Sequence, residues 1–205
     1  NRFAHAEITR LDVTLTRLFG WGKVAGHKAI IRFFNRFDMA RNEQVQEQIY
    51  RWFFDRLSID RLTLDVDSTV ITRCGQQQGA AKGYNPGKPG RNSHHPLLAF
   101  IAESRMVANF WLRTGNTSSS NNILEFLEST LRHLGNKTVG LLRADSGFFD
   151  DAVMKFLHGK SIAYIISARL TQPLQQAMVS QCKFWIIETG LEIGDISYHA
   201  QGWAR

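Results

Sequence analysis

The sequence has little cysteine, and its two cysteines, Cys74 and Cys182, form no CxxC pair. Two thiols in 205 residues do not make a disulfide scaffold, so we expect a reducing compartment. No run of about 18 apolar residues occurs, and the sequence therefore predicts no membrane-spanning helix. Asn1–Arg17 alternates charged and apolar residues, which excludes a signal peptide. Because the chain lacks an initiator Met and a recognisable terminal signal, we expect both ends to be cuts.

Several motifs of enzymes and binding proteins are also missing. The glycine-rich stretch Gly75–Gly83 does not match the phosphate-binding pattern GxxxxGK[ST], and neither GxGxxG nor GxSxG occurs. His94 and His95 have no Cys or His partner at zinc spacing, and we interpret this pair as structural or DNA-facing.

Acidic residues are scarce in one long stretch of a basic chain. The formal net charge is +7, and between Ser68 and Leu124 there is one acid, Glu103. Six cations accompany it: Arg73, Lys82, Lys88, Arg91, Arg105 and Arg113. This balance favours a polyanionic partner such as nucleic acid, and the alternative is a solvated face.

The first 60 residues have the apolar spacing of helices. Ala4, Ile8, Leu11, Leu15 and Leu18 recur every three or four residues, which predicts one helical stripe. A second apolar run spans residues 30–37, and a third helix is predicted to begin near Asn42. We expect the aromatic residues of these helices, including Trp52 and Phe53, to pack into a core.

The pattern then changes to strands. Arg61–Ile71 alternates with period two, which predicts a strand, and Gly75–His95 has the composition of a loop. Further strands are predicted at Pro96–Ala102, Val107–Arg113, Thr138–Leu142 and Ile162–Ser167, the last of which is expected to be buried. Helices are predicted at Ser118–Leu134, Phe149–Leu157 and after Pro173. Strand-like segments follow at Phe184–Ile187 and Leu191–Tyr198. This order predicts an α/β fold, a mixed sheet with helices packed on it.

Two acidic positions could carry chemistry. Asp65 and Asp67 project from the same face of the first predicted strand, although such polar residues are often simply solvated. Asp145 follows the apolar run Val139–Leu142, at the place where open α/β sheets bind ligands. Capping of the next helix is the alternative for Asp145.

Carboxylates from neighbouring strands can hold a hard cation such as Mg²⁺, and two such ions can drive phosphodiester chemistry. The same two carboxylates could serve a glycosidase as acid and base. The surrounding cations favour a phosphate-containing substrate over a neutral sugar.

Four motifs resemble those of bacterial DDE transposases from insertion sequences. They are Leu64-Asp-Val-Asp-Ser-Thr, Gln77-Gln-Gly-Ala-Ala-Lys-Gly-Tyr-Asn-Pro, His95-Pro-Leu-Leu-Ala-Phe and Leu142-Arg-Ala-Asp-Ser-Gly-Phe-Phe. They occur in the family's order, and the match is closest to the group with the GYNP-K-PGR loop and the RADSGFF motif. The resemblance spans roughly residues 60–205 and is weaker over residues 1–59.

The resemblance implies an RNase H-like core at residues 60–172, preceded by a helical region, 1–59, and followed by the beginning of a β-rich insertion, 173–205. It also implies metal-dependent cleavage and strand transfer of DNA in the bacterial cytoplasm, by a homo-oligomer that uses Mg²⁺ or Mn²⁺. The implied catalytic and metal-binding residues are Asp67 and Asp145, with Asp65 as the alternative to Asp67.

The DNA-binding residues expected from this reading are Lys82, Lys88, Arg91 and Arg143. We expect the loop Lys82–His95 to be exposed and to flank the aspartate pair. The family's third carboxylate, a Glu on a later helix, is expected after Arg205, so these residues alone should be inactive unless Glu103, Glu188 or Asp65 completes the site. The alternative is an inactive remnant that only binds DNA.

Overall fold

The computed structural model describes residues 3–75 and 77–199, without the side chains of Met39 and Ala40. The contacts within the chain divide it into two compact units, Asn1–Phe53 and Phe54–Arg205. The predicted boundary between residues 59 and 60 lies near this division, and the predicted boundary between residues 172 and 173 stays a prediction.

The first unit is helical. Its elements are a 3₁₀ turn at Phe3–His5 and the helices α1 (Ala6–Leu11), α2 (Val13–Leu18), α3 (His27–Phe34) and α4 (Met39–Phe54), whose last residue belongs to the second unit. The single helix predicted from Ala4 to Leu18 is wrong, because the Asp12 carboxylate accepts hydrogen bonds from the amides of Thr14 and Leu15 and starts a new helix. At α4, Asp38 and not Asn42 caps the helix, since its Oδ1 accepts from the amide of Arg41 at 2.9 Å.

The expected aromatic core of this unit is also wrong. Trp52 is 53% exposed and Phe53 is 46% exposed, and α1, α2 and α3 contain no buried residue. The reason is length: helices of six to eight residues present a short apolar stripe, and packing of such stripes is what normally supplies helix stability. Contacts within the unit include those of Glu7 Oε1 with the amide and Nδ1 of His27 at 2.8 and 2.9 Å and the stacked rings of Phe3 and Phe34.

The second unit contains the strands and the remaining helices. In chain order the strands are β1 (Arg61–Ser68), β2 (Ile71–Thr72), β3 (Ala81–Lys82), β4 (Asn92–His94), β5 (Leu97–Ile101), β6 (Met106–Trp111), β7 (Thr138–Ala144), β8 (Ala163–Ile166), β9 (Lys183–Glu188) and β10 (Leu191–Asp195). The helices are α5 (Ile123–Leu134), α6 (Asp151–Gly159) and α7 (Gln172–Gln181), with a 3₁₀ turn at Ser146–Phe148.

The main sheet has five strands in the order β6-β5-β1-β7-β8. β5 runs antiparallel to both β1 and β6, whereas β7 runs parallel to both β1 and β8. A central β1 with an antiparallel hairpin on one side and parallel strands on the other is the RNase H-like arrangement, so the expected mixed α/β fold is confirmed.

One face of this sheet forms the core. Leu62, Leu64 and Val66 of β1 are at most 4% exposed, and α5, which contacts β6, buries Phe126 and Leu127. Each such side chain contributes about 1.5–3 kcal/mol on burial. The opposite face of β1 carries Thr63, Asp65 and Asp67, as the alternation predicts.

The segment predicted as a loop, Gly75–His95, contains structure. β2, β4 and β3 form a small antiparallel sheet in that order, which we call the mini-sheet. Strands of two or three residues are too short to show alternation in a sequence. The mini-sheet contacts the main sheet's end through a bridge between His94 and Thr114.

The last part of the unit is more exposed than predicted. β8 was expected to be buried, but Ile165 is 62% exposed, because β8 is an edge strand of the main sheet. β9 and β10 form an antiparallel hairpin in which every residue of β9 is exposed. Within residues 3–75 and 77–199, no helix is both long and apolar enough to cross a membrane.

Candidate active site at the carboxyl ends of two parallel strands

Two aspartates, Asp67 and Asp145, lie at the carboxyl ends of neighbouring strands. β1 and β7 run parallel, and their last paired residues are Val66 and Ala144. Asp67 and Asp145 are the next residues of these two strands, and both are exposed. The carboxyl ends of neighbouring parallel strands therefore present two carboxylates at one edge of the sheet, the usual place for ligands in α/β proteins.

Each of these carboxylates is held by one backbone amide. The amide of Ser68 donates to Asp67 Oδ1 at 2.7 Å, and the amide of Gly147 donates to Asp145 Oδ1 at 2.9 Å. Neither Oδ2 accepts a hydrogen bond from a described side chain or amide. Asp145 thus caps the 3₁₀ turn Ser146–Phe148, whereas Asp150 caps α6, so capping leaves one Asp145 oxygen available to a ligand.

Asp65, the alternative metal ligand, has a different environment. Its two oxygens accept hydrogen bonds from Arg143 Nε at 2.6 Å and Nη2 at 2.7 Å. These hydrogen bonds, and then the charge of Asp65, raise the pKa of Arg143. A bidentate pair occupies the carboxylate, so the geometry favours Asp67 over Asp65 as a ligand. It also neutralises Arg143, whose expected contact with DNA stays a prediction.

Glu103 lies on the same face of the sheet as Asp65, and its carboxylate is hydrogen-bonded to the backbone. Its Oε1 and Oε2 accept from the amide of Thr63 at 3.0 and 3.1 Å. Desolvation raises the pKa of Glu103, but the hydrogen bonds from its own amide and from Thr63 outweigh it, and the net pKa is lowered. Glu188 lies at the end of β9 in the hairpin.

The acidic pair fits a hard divalent cation in its donor chemistry. Within the described ranges, no group of three or more His, Cys, Asp or Glu side chains could hold a metal ion. Two carboxylates, with water and phosphate oxygens completing the shell, suit Mg²⁺ or Mn²⁺ better than zinc, which takes nitrogen and sulfur ligands.

A cleft of about 500 Å³ opens beside Asp145. Tyr84, which is 73% exposed, and Lys88 lie on its mini-sheet side. Asn85 is 6% exposed and fixes this wall, donating to Thr72 Oγ1 at 2.9 Å and accepting from the amide of Lys88 at 3.0 Å. The remaining lining residues are Ser68, Thr69, Val70, Thr72, Pro86, Gly87, His95 and Ser119.

Lys88 lines this cleft, whereas Lys82 and Arg91 line neighbouring hollows together with Arg73. Lys82, Lys88 and Arg91 are exposed, and none forms an ion pair with a described residue. Arg73 instead donates to His94 Nδ1 at 2.9 Å, and Arg113 is 8% exposed and donates from Nε and Nη1 to backbone carbonyls. We call Lys82, Lys88 and Arg91 the cationic rim.

The expected exposure of Lys82–His95 is right for residues 82–84 and 86–91 and wrong for Asn85 and residues 93–95. Ser93, His94 and His95 are at most 5% exposed, because they join the mini-sheet to the main sheet. Both rings are hydrogen-bonded within the fold, His94 to Arg73 and Gln78 and His95 to Ser68 and Thr117. The DNA-facing interpretation of the pair stays a prediction. Sequence reasoning missed Ser119 and Asn85, and the only signal for Asn85 was its place in the Gly-Tyr-Asn-Pro motif.

The geometry agrees with a comparison of sequences. Residues 4–205 match the sequence model of a family described as transposase DDE domain group 1. The chain belongs to this family. The transposase domain has no match among curated proteins.

Several solved transposase structures are similar to this transposase domain. For piggyBac transposase in a synaptic complex with hairpin DNA, the identity is 13% and the TM-score 0.42, over 61% of this chain and 28% of that one. For the Mos1 paired-end complex with the left transposon end, the identity is 12% and the TM-score 0.36, over 80% of this chain and 58% of that one. For the Drosophila P element strand transfer complex, the identity is 10% and the TM-score 0.39, over 88% of this chain and 44% of that one. The chain spans less than two thirds of the length of each.

Proposed function

We propose that this protein is a DNA transposase that cleaves the ends of a bacterial insertion sequence and transfers them to target DNA. The observation that carries the proposal is the placement of Asp67 and Asp145 directly after the last paired residues of β1 and β7. Membership of the DDE domain family supports the same reading.

In this proposal Asp67 and Asp145 hold Mg²⁺ or Mn²⁺ through their carboxylate oxygens. Bound there, the ions activate water or a DNA hydroxyl and stabilise the leaving oxygen of an in-line displacement. The chain's own contribution is orientation, because the amides of Ser68 and Gly147 fix one oxygen of each carboxylate.

The cationic rim supplies the charge that a DNA backbone requires. Lys82, Lys88 and Arg91 carry three positive charges that no described acid neutralises. Lys88 also lines the cleft that contains Asp145, so a phosphate bound there lies close to the Asp145 carboxylate. Such contacts position the duplex without reading its sequence.

We further propose a homo-oligomeric active form, because an element has two ends that must be cut and joined in one complex. The two cysteines are free in the structure, which suits the reducing cytoplasm of a bacterium.

The test is an end-cleavage assay on the DNA that flanks the protein's own gene. With the full-length protein, we expect nicking at the element ends that requires Mg²⁺ or Mn²⁺ and is lost in Asp145→Asn. Asp150→Asn is the matched control, since Asp150 caps α6. Metal-independent nicking, or full activity of Asp145→Asn, would contradict the proposal.

A second candidate is a protein that binds DNA without cutting it. One observation favours it: the described residues contain two adjacent carboxylates but no group of three metal-binding side chains. In that case the wild-type protein binds DNA with strong salt dependence, yet no metal produces nicks.

A further inference from the structure

A chain of hydrogen bonds lies behind the two carboxylates. Ser119 Oγ is 2.7 Å from Ser68 Oγ, which is 3.1 Å from His95 Nε2. The other ring nitrogen, Nδ1, is 2.5 Å from the carbonyl oxygen of Thr117. The chain joins three segments that are distant in sequence: the end of β1, the start of β5 and the segment before α5.

The carbonyl at one end sets the direction of this chain. A carbonyl oxygen only accepts, so Nδ1 of His95 must be the donor. In the neutral ring Nε2 then accepts, which makes the Ser68 hydroxyl its donor. Ser68 Oγ in turn accepts from Ser119, so every hydroxyl in the chain has a fixed orientation.

Arg113 donates hydrogen bonds to the same segments. It is 8% exposed, and it donates from Nε to the carbonyl of His95 at 3.0 Å. Its Nη1 donates to the carbonyls of Asn121 at 2.5 Å and Ser119 at 3.4 Å. Burying a guanidinium without a carboxylate partner is costly, and burial lowers the pKa of Arg113. Arg113 thus joins the residue that follows β4 to the segment before α5 through backbone carbonyls.

Residues beside Asp67 and beside Asp145 belong to this hydrogen-bond network or pack against it. Ser68 directly follows Asp67 and donates its amide to that carboxylate. On the other strand, a Cβ atom added to Gly147 would lie 3.0 Å from both Asp145 Oδ1 and Ser119 Oγ, so Gly147 packs between them. Ser68, His95 and Ser119 also line the cleft together with Asp145.

We propose that His95 is a positioning residue of the Asp67–Asp145 site. Through Ser68 and Ser119, its imidazole fixes the spacing between the end of β1 and the turn that carries Asp145. The role of the site in metal binding and cleavage rests on the proposed function. Groups that orient metal-binding side chains from behind commonly matter roughly 10- to 100-fold for metal affinity or activity.

The first experiment separates positioning from binding. His95→Ala and Ser68→Ala should each lower kcat for end cleavage by roughly 10- to 100-fold. KM for DNA should stay unchanged, since neither side chain belongs to the cationic rim. Because both substitutions break one chain, the double variant should lose no more than the worse single variant. Losses that multiply, or a raised KM at unchanged kcat, would overturn the proposal.

Folding is controlled with a milder variant and with metal binding. Ser119→Ala removes one hydroxyl at a half-buried position, and its thermal unfolding should match that of the wild type. Its affinity for Mn²⁺, measured by electron paramagnetic resonance, should still fall, as should that of His95→Ala. Unchanged Mn²⁺ affinity in folded variants contradicts a positioning role, and this readout needs no cleavage.

The tautomer of His95 gives a third readout that does not depend on the proposed function. In ¹⁵N NMR spectra of the wild-type protein, the His95 ring should carry its proton on Nδ1, with Nε2 as an acceptor. Ser68→Ala should shift the Nε2 resonance and leave Nδ1 bonded to Thr117. A proton on Nε2 would reverse the chain and overturn the inference. If the wild type shows this tautomer and binds Mn²⁺ but does not cut DNA, the proposed function fails and the positioning role survives.

Discussion

The middle and the carboxyl end of the β1–β7 strand pair differ in whether their aspartates are paired with a cation. In the middle of β1 and β7, Asp65 is neutralised by a bidentate contact with Arg143. Two residues later Asp67 and Asp145 stand side by side, and neither forms an ion pair with a described residue. A carboxylate without a paired cation is available to a ligand, so the difference favours Asp67 and Asp145 over Asp65 as metal-binding residues.

The largest expected effect tests this contrast directly. Asp67→Asn should reduce end cleavage by roughly 10²- to 10³-fold or more, because it removes a ligand of the ion that stabilises the transition state. Asp65→Asn, on the same face of the same strand, should leave cleavage within roughly tenfold of wild type. The measurement is single-turnover cleavage with Mg²⁺. If the two variants exchange these outcomes, Asp65 is the metal ligand.

A second comparison concerns the cations. Replacing Lys82, Lys88 and Arg91 by Gln should weaken DNA binding and lower the slope of log K against log salt by roughly 2.7, at about 0.9 per phosphate contact. Fluorescence anisotropy over a salt series measures this slope.

Arg132, Lys155 and Lys160, exposed on or next to α5 and α6, provide a control with the same change in charge. Their replacement by Gln should change the slope much less. Equal slopes for the two triple variants would mean that net charge, and not the cationic rim, drives binding.

A third prediction tests how the mini-sheet is held beside the acidic end of the strands. A Cβ atom on Gly83 would overlap the carbonyl oxygen of Gly115, so Gly83→Ala should destabilise the fold by about 1–3 kcal/mol and reduce cleavage. In the same loop a Cβ atom on Gly87 meets nothing closer than 4.0 Å, and Gly87→Ala should be neutral. Urea unfolding and cleavage assays measure both. A neutral Gly83→Ala would show that this contact does not hold the mini-sheet.

The smallest effect is expected in the middle of the strands. Side chains of Arg143 and Asp65 are 49% and 37% exposed, so solvent and salt screen their attraction. In a double-mutant cycle with Asp65→Asn and Arg143→Gln, the coupling should shrink as salt rises to about 1 M, where screening acts within roughly 3 Å. Thermal unfolding of the four proteins gives the coupling. A coupling energy that does not change with salt would indicate that the Asp65–Arg143 pair has a role beyond surface electrostatics.

Much of the core could be predicted from the sequence, because its signals are local. Alternation in Arg61–Ile71 predicted β1, which ends at Ser68 in the structure, and the shared face of Asp65 and Asp67, and helical spacing predicted α5. The position of Asp145 after an apolar run placed it at the end of a strand. Each of these features depends on the two- or 3.6-residue period of the backbone, which neighbouring residues alone reveal.

Errors arose where a residue's environment depends on distant partners. Alternation cannot show that Ile165 lies on an edge strand, because strand order is a property of the whole sheet. Nor could it show that Trp52 and Phe53 are exposed, since burial requires a surface to pack against. The mini-sheet was missed because pairing across the chain, and not residue pattern, defines strands of two or three residues.

For this protein the sequence by itself determined the fold class, the family and the two aspartates at the strand ends. Only the tertiary structure distinguished Asp65 from Asp67, because the partner that neutralises Asp65 lies 78 residues away. It also revealed the chain from Ser119 through Ser68 to His95, whose hydrogen bonds join segments 51 and 27 residues apart. Hydrogen bonds and ion pairs depend on distances in space, and those distances exist only once the sheet has brought the segments together.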